Sequence, residues 1–133
     1  MKAAFADTSF YIASANPCDR RHQDALNASR RWEYKVVTTE YVLLERGNYF
    51  CGSHDRLLFM EMLSALCDDS ETEIVPASPA LFDTGVNLYG GRADKQWSLT
   101  DCLSFAVRKA CSLTDALACD HHFEKAGYTI LLP

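Results

Sequence analysis

Short apolar segments alternate along this chain with longer segments of helical periodicity. Each apolar segment is four or five residues long, and several end at Asp, Thr or Pro, a pattern typical of buried β-strands. The predicted strands are residues 2–6, 35–38, 72–75, 115–118 and 128–132.

Helix start signals lie between the predicted strands. Hydroxyl side chains are favoured before the first helical turn, and proline is favoured at its first position. Two further helices are predicted near 19–33 and 121–126, and the second should stop at Gly127. The candidate capping residues are Thr38 or Thr39, Ser53, Ser78 with Pro79, and Ser98 or Thr100.

The alternation of strands and helices predicts an α/β fold. Such a chain forms a mostly parallel sheet with right-handed crossovers on both faces, and ligands bind at the carboxyl edge of the strands. The 133 residues suit one hydrophobic core, and no repeat or linker-like segment divides them. We therefore expect a single domain over residues 1–133.

Composition indicates an ordinary globular protein, with 48% hydrophobic and 23% charged residues. No apolar run approaches the roughly 20 residues of a membrane span, and the N-terminus lacks the pattern of a secretion signal. We expect a cytoplasmic protein with reduced cysteines, most of them buried as small apolar side chains. Cys119, His121 and His122 lie close together, but zinc is disfavoured without a second ligand pair, and the histidines are interpreted as parts of a capped turn.

The net charge of −5 argues at first against a polyanionic partner. Residues 55–83 hold seven acidic side chains against one basic side chain, whereas residues 1–54 hold six against seven. The sequence therefore allows a basic surface outside the acidic segment, although a solvated helix face is the favoured interpretation of the basic residues taken alone.

Four carboxylates are expected at the carboxyl edge of the sheet. Asp7 follows the first strand, Asp120 follows the fourth, Asp101 opens the preceding helix, and Glu45 lies in the helix after the second strand. Each aspartate taken alone also fits a helix cap or a first-turn acid.

Glu45 is harder to explain as a capping residue. Its neighbours at helical spacing include Tyr41, Val42 and Tyr49, so it needs a partner on a largely apolar face. The competing Glu40 suits a role in the first helical turn, and Asp115 begins a strand at the wrong edge.

Converging carboxylates repel one another unless a cation neutralises them. Mg²⁺ and Mn²⁺ accept oxygen ligands and leave positions for phosphate oxygens and water. Hydrolysis of a nucleic-acid backbone fits such a site better than chemistry that needs a side-chain nucleophile.

Four motifs spread over nearly the whole chain resemble those of PIN-domain ribonucleases, the family of VapC-type toxins. They are "FADTSF", "VTTEYVLLE", "DKQWSLTDCLSF" and "LACDHHFEKAGY". The resemblance implies a three-layer α/β/α domain with a five-stranded parallel sheet and Mg²⁺- or Mn²⁺-dependent endoribonuclease activity. It also implies an RNA substrate, a cognate antitoxin and a homodimer.

Carried onto this chain, the resemblance makes Asp7, Glu45, Asp101 and Asp120 the catalytic and metal-binding set. A hydroxyl of Thr8 or Ser9 beside the first acid would hold an activated water or a phosphate. The candidate RNA-binding residues are Arg20, Arg21, Arg30, Arg31, Arg46 and Lys95.

Two rival interpretations remain. A non-catalytic PIN-like module would bind RNA or protein and should have a broken acidic set. A metal-dependent phosphatase should have a second aspartate two residues after the first, where this chain has Ser9, and a phospho-receiver domain needs an aspartate after the third strand, where it has Pro76.

Overall fold

The computed structural model describes residues 2–30 and 34–132. Within them, five strands form a parallel sheet in the order β3-β2-β1-β4-β5. The strands are β1 (Lys2–Ala6), β2 (Tyr34–Thr39), β3 (Thr72–Val75), β4 (Asp115–Leu117) and β5 (Thr129–Ile130). The helices are α1 (Thr8–Ala15), α2 (His22–Ser29), α3 (Glu40–Tyr49), α4 (Ser53–Asp68), α5 (Pro79–Gly91), α6 (Leu99–Cys111) and α7 (His121–Lys125).

The central strand β1 is parallel to both of its neighbours. Phe5 is in register with Val37 of β2 and with Ala116 of β4, so the carboxyl ends of the three strands lie at one edge. The strand order reverses between β1 and β4, which is the point where open α/β sheets bind ligands.

Aromatic side chains fill one face of the sheet. Phe5 stacks on Phe123 of α7 with 6.0 Å between ring centroids, and Phe105 of α6 meets Phe123 edge to face at 5.0 Å. Trp97 closes this cluster against Phe105 at 4.9 Å. Edge-to-face and offset contacts of this kind stabilise a core beyond the apolar area they bury.

Helices α1, α2 and α4 cover the opposite face. Tyr11, Ala28 and Met62, one from each of these helices, line an apolar cavity together with Leu117 of β4. Leu117 and Phe5 belong to opposite faces because side chains alternate along a strand and Phe5 is level with Ala116. The expected three-layer α/β/α arrangement with a five-stranded parallel sheet is therefore confirmed.

Several predicted elements have bounds that differ from those in the structure. The helix expected near 19–33 begins only at His22, because Asp19 Oδ1 accepts a hydrogen bond from the Arg21 amide at 2.8 Å and holds residues 19–21 in a turn. The last strand spans Thr129–Ile130 instead of 128–132.

The six cysteines are free thiols, and only Cys102 is fully buried. The expectation that most of them are buried is wrong, since Cys18, Cys51, Cys67 and Cys111 are exposed. Within residues 2–30 and 34–132, no helix is long and apolar enough to cross a membrane.

Candidate active site

The carboxyl edges of β1 and β4 carry two of the predicted acids. Asp7 directly follows β1, and its backbone amide donates to the carbonyl oxygen of Leu117 at 3.1 Å, which ties the two strand ends together. Asp120 lies three residues beyond Leu117, at the start of α7. The parallel topology therefore brings to one edge two residues that are far apart in the sequence.

Asp7 is a buried carboxylate. Its Oδ2 accepts hydrogen bonds from the Ser9 hydroxyl at 2.8 Å and the Ser9 amide at 3.3 Å, which also makes Asp7 the N-cap of α1. Burial raises the pKa of Asp7 from 3.8 to about 6, the hydrogen bonds from Ser9 oppose that rise, and the charge of Asp101 adds to it. The fold thus places a carboxylate where its negative charge is poorly compensated.

Ser9 joins two loops of the edge. Its hydroxyl donates to Asp7 Oδ2 and accepts a hydrogen bond from the Cys119 amide at 3.0 Å, one residue before Asp120. Because the Ser9 hydroxyl has a single proton and donates it to Asp7, it has none to donate to a phosphate.

Thr8 is buried and directs its hydroxyl at the Val42 carbonyl at 3.5 Å. The prediction that Thr8 contacts phosphate is therefore wrong, because the side chain faces the interior. Ser9 lies beside Asp7 as expected, but as a residue that orients the carboxylate.

Asp101 is held by the start of α6. Ser98 and Asp101 form a capping box, in which Asp101 Oδ2 accepts from the Ser98 amide at 3.2 Å and Ser98 Oγ accepts from the Asp101 amide at 3.0 Å. Burial raises the pKa of Asp101, and the charges of Asp120 and Glu45 add to the rise. Three predicted acids are therefore close enough to influence one another electrostatically.

Asp120 and Asp101 share their site with a histidine. Ligand atoms of Asp101, Asp120 and His122 all lie within 4.8 Å of one another. Asp120 Oδ1 accepts a hydrogen bond from the His122 amide at 2.9 Å and lies 3.8 Å from His122 Nε2. The sequence interpretation left His122 out of the site, although its position two residues after Asp120 was the signal that could have found it.

Glu45 and Glu40 have different surroundings, although both belong to α3. Glu45 is half-buried and near enough to Asp101 for its charge to contribute to the raised pKa. Glu40 Oε1 instead accepts a hydrogen bond from the Ala77 amide at 2.6 Å, in the loop that leads to α5. Asp115 begins β4 and so lies at the opposite edge of the sheet. The geometry favours Glu45 as the fourth acid.

The chemistry of this edge suits a divalent cation. Asp7 is buried and Asp101 half-buried, both have raised pKa values, and neither has a cationic partner among its described hydrogen bonds and ion pairs. A hard cation would relieve the repulsion and provide oxygen-bound positions for a polar substrate. The residues present therefore fit the metal that the sequence predicts.

Among the candidate RNA-binding residues, Arg21 lies close enough to this edge for its charge to act on Cys119. Its Nε lies 3.3 Å from Asp24 Oδ2, in an ion pair at the start of α2. Burial raises the pKa of the Cys119 thiol, and the charge of Arg21 opposes that rise. Arg21 is thus near the loop that carries Asp120.

The other basic candidates are distributed over the surface. Arg20 and Arg30 are exposed, and Lys95 is half-buried in the loop before α6. Arg31 lies outside the described residues.

Arg46 is a correction to the RNA-binding set. It is only 2% exposed, its Nε lies 2.7 Å from the Met62 sulfur, and its Cζ lies 4.4 Å from the centroid of the Phe50 ring. Burial lowers the pKa of the Arg46 guanidinium. It therefore packs between α3 and α4 and does not reach a nucleic-acid surface. The signal was helical spacing, since Arg46 is four residues from the fully buried Val42.

No protein-family model matches the chain. A search of curated proteins finds the 23S rRNA-specific endonuclease VapC20 of Mycobacterium tuberculosis, which is 27% identical over 135 residues that cover 97% of this chain and 98% of that protein.

Solved structures show the same similarity at the level of the fold. The crystal structure of Mycobacterium tuberculosis VapC20, described as a Sarcin-Ricin loop cleaving toxin, superposes with a TM-score of 0.83 at 25% identity and covers 95% of this chain and 96% of its own. VapBC2 from Rickettsia felis, bound to a DNA fragment from its promoter, shares the fold with a TM-score of 0.68 at 14% identity and covers 96% of both chains. The resemblance drawn from the four sequence motifs is thereby confirmed.

Proposed function

Since this chain is similar in sequence and fold to a VapC-type toxin, we propose that it is a PIN-domain protein, a metal-dependent endoribonuclease and the toxin of a toxin–antitoxin pair. The observation that carries the proposal is similarity over 97% of the chain to an endonuclease that acts on 23S rRNA, together with acids at the carboxyl edge of β1 and β4. The non-catalytic alternative expects a broken acidic set, and all four positions of this set are acidic.

Asp7, Glu45, Asp101 and Asp120 are the proposed catalytic and metal-binding residues, and the ion is Mg²⁺ or Mn²⁺. When bound, such an ion would activate water and neutralise charge on the phosphodiester. Asp101 and Asp120 offer carboxylate oxygens near the surface, whereas Asp7 approaches from the interior.

The surrounding residues orient these acids. Ser9 fixes Asp7 and the Cys119 amide at once, and Ser98 fixes Asp101 through the capping box. Preorganised groups need no rearrangement when charge develops on the substrate, which is a large part of catalysis by polar sites. Arg21 lies on the same side as the Asp120 loop and is proposed to hold RNA through its phosphates.

A protein partner is part of the proposal. Three apolar side chains of α4 are largely exposed: Leu57 at 64%, Leu58 at 51% and Met60 at 58%. Exposed apolar side chains in such numbers on one helix are typical of association surfaces. We propose that the chain forms a homodimer and binds an antitoxin.

RNA cleavage with matched variants tests the function. Purified protein is incubated with a sarcin–ricin loop RNA and with single-stranded RNA, in Mn²⁺, Mg²⁺ or EDTA. Wild type and Asp83→Asn, which changes an exposed acid of α5, should cut in either metal and not in EDTA. Asp7→Asn and Asp101→Asn should be inactive. Equal cutting by all four proteins, or cutting in EDTA, would refute the metal site, and RNA binding without cutting would favour the non-catalytic alternative.

A further inference from the structure

His122 lies within the acidic site without a role in the proposed chemistry. Its side chain is 31% exposed, and one of its ring nitrogens lies with carboxylate oxygens of Asp101 and Asp120 in a set of atoms all within 4.8 Å of one another. The neighbouring His121 is exposed and is not part of that group. The two adjacent histidines therefore differ in their access to the site.

The distances around Asp120 Oδ1 show that His122 Nε2 is not hydrogen-bonded to it, although the two atoms are close enough to bind one cation together. Asp120 Oδ1 already accepts the backbone amide of His122 at 2.9 Å, which holds the carboxylate in place. His122 Nε2 lies 3.8 Å from the same oxygen, too far for a hydrogen bond between them. Two ligands of one cation at bond lengths of about 2.1 Å are separated by about 3 to 3.5 Å, so a small rotation of the ring brings both to one ion.

We propose that His122 Nε2 is a nitrogen ligand of the divalent cation held by Asp101 and Asp120, and that it makes the site favour a first-row transition ion such as Mn²⁺ over Mg²⁺. This inference rests on the proposed function, because the cation belongs to the same site.

The preference for Mn²⁺ over Mg²⁺ follows from the nitrogen atom that His122 would provide as a ligand. Mg²⁺ demands oxygen ligands in near-ideal octahedral geometry and gives up its waters reluctantly, so an imidazole gains little affinity for it. Transition ions accept imidazole nitrogen readily, and affinity at a given site rises along the first-row series from Mn²⁺. Replacing a site water by His122 nitrogen would therefore strengthen Mn²⁺ binding more than Mg²⁺ binding.

Pulsed electron paramagnetic resonance reads this contact directly. The full chain is loaded with Mn²⁺, and electron spin echo modulation reports nitrogen bound to the ion, confirmed by a changed coupling after labelling with ¹⁵N-histidine. Wild type and His121→Ala should show the nitrogen coupling, and His122→Ala and His122→Gln should lose it. The backbone amide that caps Asp120 survives both His122 substitutions, so the carboxylate stays oriented.

Metal affinity gives a second readout. Free Mn²⁺ is measured in titrations of each protein, and Mg²⁺ affinity is obtained by competition. His122→Ala should weaken Mn²⁺ binding about tenfold or more, a size seen even for residues that only support metal ligands, with a clearly smaller loss for Mg²⁺. Circular dichroism and thermal melts confirm that each variant is folded.

The outcomes separate this inference from the proposed function. If wild type cuts RNA in a metal-dependent way but its bound Mn²⁺ shows no nitrogen coupling, or if His122→Ala retains the coupling, the inference is overturned and the function stands. If the coupling is present and depends on His122 but no RNA is cut, the inference stands and the proposed function fails.

Discussion

Replacing Asp7 by asparagine should stabilise the metal-free protein while abolishing its activity. Asparagine has nearly the same shape and keeps an oxygen that can accept the two hydrogen bonds from Ser9. What it removes is a negative charge on a side chain that is 5% exposed in the folded protein. The perturbation therefore isolates the cost of that charge.

The pKa of Asp7 sets the magnitude. Burial raises it from 3.8 to about 6, and one pH unit corresponds to about 1.4 kcal/mol, so the charge costs the folded state about 3 kcal/mol. Because the folded pKa lies above the unfolded one, the cost is absent below pH 3.8, grows between pH 3.8 and about 6, and is constant above that value. The metal-free wild type should thus lose stability as the pH rises through this window.

Urea denaturation in EDTA measures the effect. The free energy of unfolding of Asp7→Asn should exceed that of wild type by about 3 kcal/mol above pH 6, and the difference should shrink as the pH falls towards 4. Saturating Mn²⁺ should stabilise wild type more than the variant. Asp83→Asn, with an exposed side chain, serves as the control and should change little. A variant that is equally stable or less stable than wild type above pH 6 would refute the reasoning.

Three glycine substitutions test helix packing and backbone conformation through urea denaturation or thermal melting. Gly85→Ala should lower the free energy of unfolding by about 1 to 3 kcal/mol, because its Cβ would lie 2.5 Å from Leu103 Cδ2 where α5 meets α6. Gly90→Ala in the same helix meets nothing within 4 Å and should raise it by up to about 1 kcal/mol. Gly127→Ala should lower it by about 1 to 3 kcal/mol, since φ is +104° and the new Cβ would lie 2.9 Å from Arg108 Cζ; an unchanged melting temperature would contradict this.

The strands were the most predictable part of the fold. Residues 2–6 and 72–75 were predicted with the bounds that the structure has, because short apolar runs between turn residues have few other uses in a chain of this size. The start of α2 was not predictable from periodicity, since the turn at Asp19 competes with the helix through a side-chain hydrogen bond. Local polar chemistry decided that boundary.

The site was predictable where the backbone alone determines it. The edge of a parallel sheet places Asp7 near Asp120, and helical spacing places Glu45 and Arg46 about 100° apart on α3. Which of these two faces the site depends on how α3 packs against α4 and α6, and that required the structure. The position of His122 two residues after Asp120 pointed to the site, but the direction of its ring depends on the single turn of α7.

The capping interpretation and the metal-binding interpretation describe the same geometry. Asp7 caps α1, Asp120 caps α7, and Asp101 completes the capping box of α6. Each cap occupies one carboxylate oxygen with backbone or hydroxyl donors and so fixes the direction of the other oxygen. All three helices begin near one edge of the sheet, and carboxylate oxygens of Asp101 and Asp120 lie within 4.8 Å of each other there. A capping preference, repeated at neighbouring helix starts, is thus how this sequence would build a preorganised cation site.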